Sequence, residues 1–188
     1  MKAYYEARAR EYDDWWQWHV EEHPDEYAAL IRTIESLEPA RTLDIACGTG
    51  FLTRHLPGEI TGLDQSAAVL EIAAEQAPNA MLVQGEGIEL PFEDGAFDRV
   101  FTSHFYGHLE GPDRELFLDE ARRAGRELVI VDSARRRDSA PDGMQPRVLK
   151  DGSEWEVYKR YFTGAGLADE LGGGEILHEG VYFVAVRA

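Results

Sequence analysis

The chain has 188 residues, 36 acidic against 19 basic, a formal net charge of −17 and 44% hydrophobic content. That length suits one globular domain burying about 70% of its unfolded surface, and the composition is not that of a disordered chain. The acidic excess repels phosphate backbones and anionic lipid, so nucleic acid and membrane surfaces are disfavoured as partners, whereas a small substrate in a local basic pocket is not. The single cysteine, Cys47, lacks a disulfide partner in the chain, as suits a reducing interior. The first residues, MKAYYEARAREYDD, contain no apolar signal core, and no apolar run reaches the length of a membrane span. The chain reads as cytoplasmic, and its oligomeric state is left open.

Residues 1–23 are helix-rich and aromatic. Asp25-Glu26 opens a helix whose apolar side, Tyr27, Leu30, Ile31, Ile34 and Leu37, follows the 3.6 period until Pro39. A first strand is expected over 41–46, with its helix over 49–56, and a second strand runs from Pro57-Gly58 to Asp64. Ser66 is the expected N-cap of a helix reaching Gln76. Strands follow at 80–84 and 97–103, then a helix over 112–124 and a strand over 127–132. A polar loop comes next. Residues 155–162 look extended, 163–171 helical, and the tail reads as a hairpin of 175–178 and 181–186. Strands alternating with helices predict an α/β fold, a Rossmann-like three-layer sandwich. Its seven-stranded, mostly parallel sheet ends in a C-terminal antiparallel hairpin. No second domain is visible in 1–188. Residues 1–40 would form a helical lid, 41–133 a cofactor-binding core, and 134–188 the substrate side and the hairpin.

The richest stretch is LDIACGTG, Leu43–Gly50: a strand feeding a small-residue turn. Gly48 and Gly50 carry no Cβ, so backbone N–H groups can approach a ligand closely. Twenty residues after Asp44, Asp64 closes the next strand, where an acid can accept both hydroxyls of a ribose. A nucleoside-containing cofactor follows from this pair. The glycine pattern itself is incomplete for dinucleotides, since Thr53 stands where a third glycine would fall, and no Tyr-x-x-x-Lys pair exists.

Together LDIACGTG, GLDQS and VQGEGIELPFEDGAFDRVFTSHFYGHL (Val83–Leu109) resemble three motifs of the class I S-adenosylmethionine (SAM)-dependent methyltransferases. The likeness is greatest to the small-molecule branch of menaquinone and ubiquinone methyltransferase-like enzymes. The resemblance implies that Asp44, Ala46, Gly48 and Gly50 surround the methionine portion of SAM. It implies Asp64 on the ribose, Gln65 and Ser66 beside the adenosine, and Glu86, Gly87 and Ile88 around the adenine. Ser103, His104 and Phe105 would line the cofactor, and Tyr12 of the AREYD segment would lie near it. Two departures stand out. Ala46 replaces the usual first glycine and is tolerated if its φ is negative, and Glu86 replaces the usual aspartate.

Other features have competing readings. His104 and His108, four apart after the fourth strand, are candidate general bases, with Tyr106 a weaker one. Cys47 is read as a small buried hydrophobe rather than a nucleophile. His19 and His23 match H-x-x-E-H but lack a third ligand and adjoin Pro24, so they are read as solvated, and no metal is expected. The aromatic residues Tyr5, Tyr12, Trp15, Trp16 and Trp18 either dock the N-terminal segment or close over the methyl donor. Arg135, Arg136 and Arg137 read as solvated, with an anionic substrate as the alternative. Alternation over Tyr158–Tyr161 would turn half of these residues towards a substrate pocket. The expected function is methyl transfer from SAM to a small-molecule acceptor, with S-adenosylhomocysteine (SAH) as product. A non-catalytic SAM-binding module and an NAD-dependent oxidoreductase are the alternatives.

Overall fold

The computed structural model describes residues 2–188, so Met1 lies outside the described residues. Nine strands are present: β1 Ala40–Ile45, β2 Gly58–Asp64, β3 Met81–Gln84, β4 Phe97–Ser103, β5 Gly125–Ser133, β6 Gly143–Val148, β7 Glu154–Lys159, β8 Glu175–Glu179 and β9 Phe183–Arg187. Seven form one sheet in the order β3-β2-β1-β4-β5-β9-β8, in which β9 pairs antiparallel with both β5 and β8 and the other pairs are parallel. Six helices accompany them: α1 Lys2–Arg8, α2 Asp14–Glu22, α3 Pro24–Glu35, α4 Ala67–Gln76, α5 Gly111–Ala124 and α6 Gly164–Glu170.

Alternation along the strands divides the core into two apolar layers. Val100, Leu128, Ile130, Val184 and Val186 pack with Phe117, Ala121 and Ala124 of α5 and Leu167 of α6. Their neighbours Phe101, Val129, Val131, Phe183 and Ala185 pack on the opposite side with Leu30, Ile31 and Ile34 of α3. The result is the expected helix–sheet–helix arrangement. Local capping agrees with it. Ser66 is extended and its hydroxyl accepts from Val69 N, which starts α4. Pro24 and Pro112 occupy the first turns of α3 and α5, where a missing N–H costs nothing.

Two expectations need correction. The helix over 49–56 is only a 3-10 turn, Thr53–His55. Few residues separate the positive-φ Gly50 from Pro57, and three-apart bonds such as His55 N to Leu52 O use up the turn. The polar loop after β5 contains a strand, because β6 pairs with β7 as an antiparallel ribbon, Pro146 facing Glu156. Pro146 is admissible there because a two-stranded ribbon leaves one edge of each strand unpaired. The ribbon is held by a third apolar cluster, Tyr4 of α1 with Leu149 and Val157.

Candidate functional site

The strand order reverses between β1 and β4, and ligands of open α/β sheets bind at the carboxyl ends of strands at such a point. There the chain leaves β1 through three left-handed residues, Ala46 (φ 58°), Gly48 (57°) and Gly50 (79°). The positive φ of Ala46 does not meet the condition under which alanine replaces glycine freely, and its Cβ is strained where glycine would not be. Two hydrogen bonds impose the conformation: Cys47 N donates to Leu63 O at 3.0 Å, and Gly50 N to Cys47 O at 3.0 Å. Asp64 also holds the loop, accepting from Gly48 N (3.0 Å) and Ser66 N (2.9 Å). Each carboxylate oxygen keeps a second acceptor site.

Beneath the loop, Asp44 is 1% exposed. Its Oδ2 accepts from Thr53 Oγ1 at 2.7 Å, and its Oδ1 has no partner among the described residues. Burial pushes its carboxyl up to about 7. An unpaired buried acid beside a bare-backbone turn fits a ligand that brings an ammonium group, as an amino-acid tail does.

A cavity of about 210 Å³ opens over this floor. Ala46, Asp64, Gln65, Glu86, Gly87, Ile88, Ser103, His104 and Phe105 line it, together with Tyr5 and Tyr12. Asp44, Gly48, Gly50 and Ser66 lie outside the lining. A Cβ on Gly87 would stand 2.8 Å from Ile45 Cγ2 and 3.0 Å from the Phe105 ring, so only glycine keeps this wall thin.

A second chamber of about 450 Å³ adjoins the first, and Tyr5, Tyr12 and His104 border both. The N-terminal segment covers the junction. A Cβ on Gly48 would be 3.1 Å from the Tyr12 hydroxyl, so this ring lies directly on the glycine turn. Asp13 fastens the segment, accepting from Thr49 Oγ1 and from Gln76 Nε2. Sequence reading assigned no role to Asp13, although it follows Tyr12 in the AREYD motif. Trp16 is buried and stacks on Phe51, which docks the N-terminal segment, and Trp15, Trp16 and Trp18 line the second chamber.

His104 sits at the junction with φ 52°, an uncommon conformation for a residue bearing Cβ. Its Nδ1 lies 3.3 Å from Ser133 Oγ and 3.9 Å from Asp132 Oδ1, and its Nε2 has no partner among the described residues. His108 Nδ1 is 2.6 Å from the Tyr158 carbonyl. A carbonyl only accepts, so Nδ1 carries the proton and Nε2 of the neutral ring is a bare acceptor. Burial pushes both imidazoles down to about 3. Tyr106 is corrected as a candidate base. It is fully buried, donates to Glu170 Oε1 at 2.8 Å and packs against Phe117 and Phe162.

His19 is not solvated: it is 1% exposed and lies among Trp15, Tyr182 and Phe183. Burial lowers it to about 4. Cys47 is buried, and that burial pushes its thiol up, as expected of an inert side chain. Alternation over Tyr158–Tyr161 holds: Lys159 and Tyr161 line the second chamber, and Tyr158 and Arg160 do not. Lys159 Nζ reaches the fully buried Asp132 Oδ1 at 2.8 Å, while Asp132 also accepts from Gly107 N and Ser133 N. Of the arginine run only Arg136 reaches the chamber, and Arg135 pairs with Asp142.

A nucleoside-type crevice, an unpaired acid under a glycine turn and an adjoining aromatic chamber together suit a nucleoside that carries an amino-acid tail. Residues 43–128, a little under half of the chain, are similar to the family described as a methyltransferase domain. Over 112 residues it is 36% identical to the demethylmenaquinone methyltransferase of Thermotoga maritima, covering 55% of this chain and 48% of that one. The Staphylococcus aureus protein of the same name is 39% identical over 92 residues, 44% of this chain and 37% of its own length. The chain thus spans about half or less of the curated relatives it matches. Among solved structures, DhpI with SAH superposes with a TM-score of 0.80 at 26% identity, covering 98% of this chain and 92% of that chain. The DhpI–SAM–HEP complex gives 0.79 at the same identity, covering 99% and 94%. No helix among the described residues is long and apolar enough to cross a membrane.

Proposed function

We propose that this protein transfers a methyl group from SAM to a small-molecule acceptor held in the aromatic chamber. The observation that carries the reading is the meeting of two cavities at Tyr5, Tyr12 and His104, one lined by the cofactor motifs and the other by aromatic and basic side chains. Bound SAM supplies a sulfonium methyl open to in-line displacement. Asp44 would hold the ammonium of its amino-acid tail, with Ala46, Gly48 and Gly50 bordering that tail. Asp64 would accept from the ribose, with Gln65 and Ser66 beside it, while Glu86, Gly87 and Ile88 would flank the adenine. Ser103, His104, Phe105 and Tyr12 would close the remaining side.

The residues at the junction act mainly by position and dryness. Orienting two reactants is worth about 7–11 kcal/mol at best, more than a general base typically contributes. Burial pushes the Tyr5 and Tyr12 phenols up, so both stay protonated and donate hydrogen bonds. His104 and His108, neutral at pH 7, would take a proton only from an acceptor that carries one. Residues 1–40 would then serve as the lid of a single 188-residue domain. The open chamber also favours an enzyme over a non-catalytic SAM-binding module. Calorimetry with SAH and with NAD(H) tests the cofactor, and methyl incorporation into metabolite extracts tests the activity. Binding of NAD(H) without SAH would overturn the reading.

A further inference from the structure

We propose that the second chamber recognises an oxyanion, so that the acceptor carries a carboxylate or a phosphate-type group. The inference deepens the methyltransferase reading, on which it rests for treating this chamber as the acceptor site. The chain has nearly two acids for each base, yet the lining contains Arg8, Arg136, Arg147 and Lys159 and no Asp or Glu. These four come from α1, the loop after β5, β6 and β7. Packing of distant segments, rather than a local charge run, brings them together.

Their partners separate structural cations from available ones. Lys159 is neutralised by the buried Asp132. Arg136 lies over the Tyr182 ring at 4.7 Å and pairs with the exposed Asp138 at 2.9 Å. Among the described residues, neither Arg8 nor Arg147 has a carboxylate within 4.0 Å. Arg8 lies over the Tyr12 ring at 5.0 Å, and Arg147 donates to Gln145 Oε1 at 2.9 Å and to Pro146 O at 3.0 Å. Aromatic faces and neutral oxygens orient these guanidinium groups without cancelling their charge. Planar forks with free donors are the geometry that recognises carboxylate and phosphate oxygens.

The test is titration of the SAH-loaded protein with inorganic phosphate, with acetate, and with ethylene glycol as a neutral control, followed by calorimetry and by NMR of the histidine ring protons. One of the anions is expected to bind saturably and shift the His104 and His108 signals, while glycol does neither. Preference for phosphate over acetate, or the reverse, identifies the type of oxyanion. Arg147→Gln, at a residue outside the lining of the first cavity, is expected to weaken the anion at least tenfold while SAH affinity stays within twofold. Arg8→Gln is expected to weaken the anion similarly. Absence of saturable anion binding to the unmodified protein, or anion affinity unchanged in both variants, would overturn the proposal. Failure of SAH to bind would count against the methyltransferase reading instead, and the same anions titrated into the SAH-free protein would still report on the chamber.

Discussion

Replacing Lys159 with methionine isolates the buried pair that organises the turn after β4. Asp132 is fully buried and Lys159 is 5% exposed, with 2.8 Å between Nζ and Oδ1. At an effective dielectric of about 20 that separation is worth about 6 kcal/mol of attraction. The N–H groups of Gly107 and Ser133 remain on the carboxylate, which recovers part of the loss. A net destabilisation of about 3–5 kcal/mol is expected at pH 7, a large share of a typical total of about 5–15 kcal/mol.

The sign with pH follows from Asp132. Burial alone would raise its carboxyl, but Lys159 and the nearby imidazoles hold it at about 2, below the ordinary 3.8. In the unmodified protein the group therefore adds stability above 3.8 that disappears as pH falls through about 2. Without Lys159 the burial effect prevails, the carboxyl rises, and the variant loses stability as pH increases. The difference between the two proteins should accordingly be smaller at pH 4 than at pH 7. Urea unfolding followed by circular dichroism at both pH values measures it, and Asp132→Asn added to the variant should restore part of the loss. A deficit below about 1 kcal/mol at pH 7, or one equal at both pH values, would refute the assignment of a structural ion pair.

Asp64→Ala should weaken SAH at least tenfold, because the ribose acceptor and the clamp on Gly48 N disappear together; unchanged affinity in calorimetry would count against the ribose role. Asp44, raised to about 7 by burial, contributes stability that is present below 3.8 and lost as pH rises through about 7. A bound ammonium needs the carboxylate form, so SAH affinity should fall as pH drops below about 7, approaching tenfold per unit, and flatten in Asp44→Asn. Ala46→Gly should raise stability by up to about 1 kcal/mol, since it relieves a left-handed alanine. A thermal melt showing a clear loss would mean that the alanine methyl packs usefully.

Much of the architecture was legible because it is written in short-range pattern. The short run ELVIVD marked β5, and strands alternating with helices along the chain marked a sheet covered on both faces. Ser66 is an N-cap by side-chain chemistry alone, and the terminal hairpin carries its own turn. The resemblance of the motifs pointed to Ala46, Asp64, Glu86–Ile88 and Ser103–Phe105, and these residues line one cavity because parallel strands align their carboxyl ends.

Residues whose role depends on what packs against them were not legible. Periodicity suggests a helix after Gly50, but long-range bonds to Leu63 and Asp64 fix the preceding loop and leave room only for a 3-10 turn. His19 reads as polar surface until Trp15, Tyr182 and Phe183 enclose it, and Tyr106 lies between two histidines in sequence but faces another layer of the core. β7 was legible as an extended stretch, but its partner β6, with Gly143 and Pro146, has too many breakers to be seen locally, and the ribbon is held by Tyr4 from the other end of the chain. Local sequence, through strand alternation and glycine spacing, determined the sheet and the cofactor crevice. Tertiary structure decided the second chamber, because its charge arises only where four segments far apart in the chain bring their cations together and leave the acids outside.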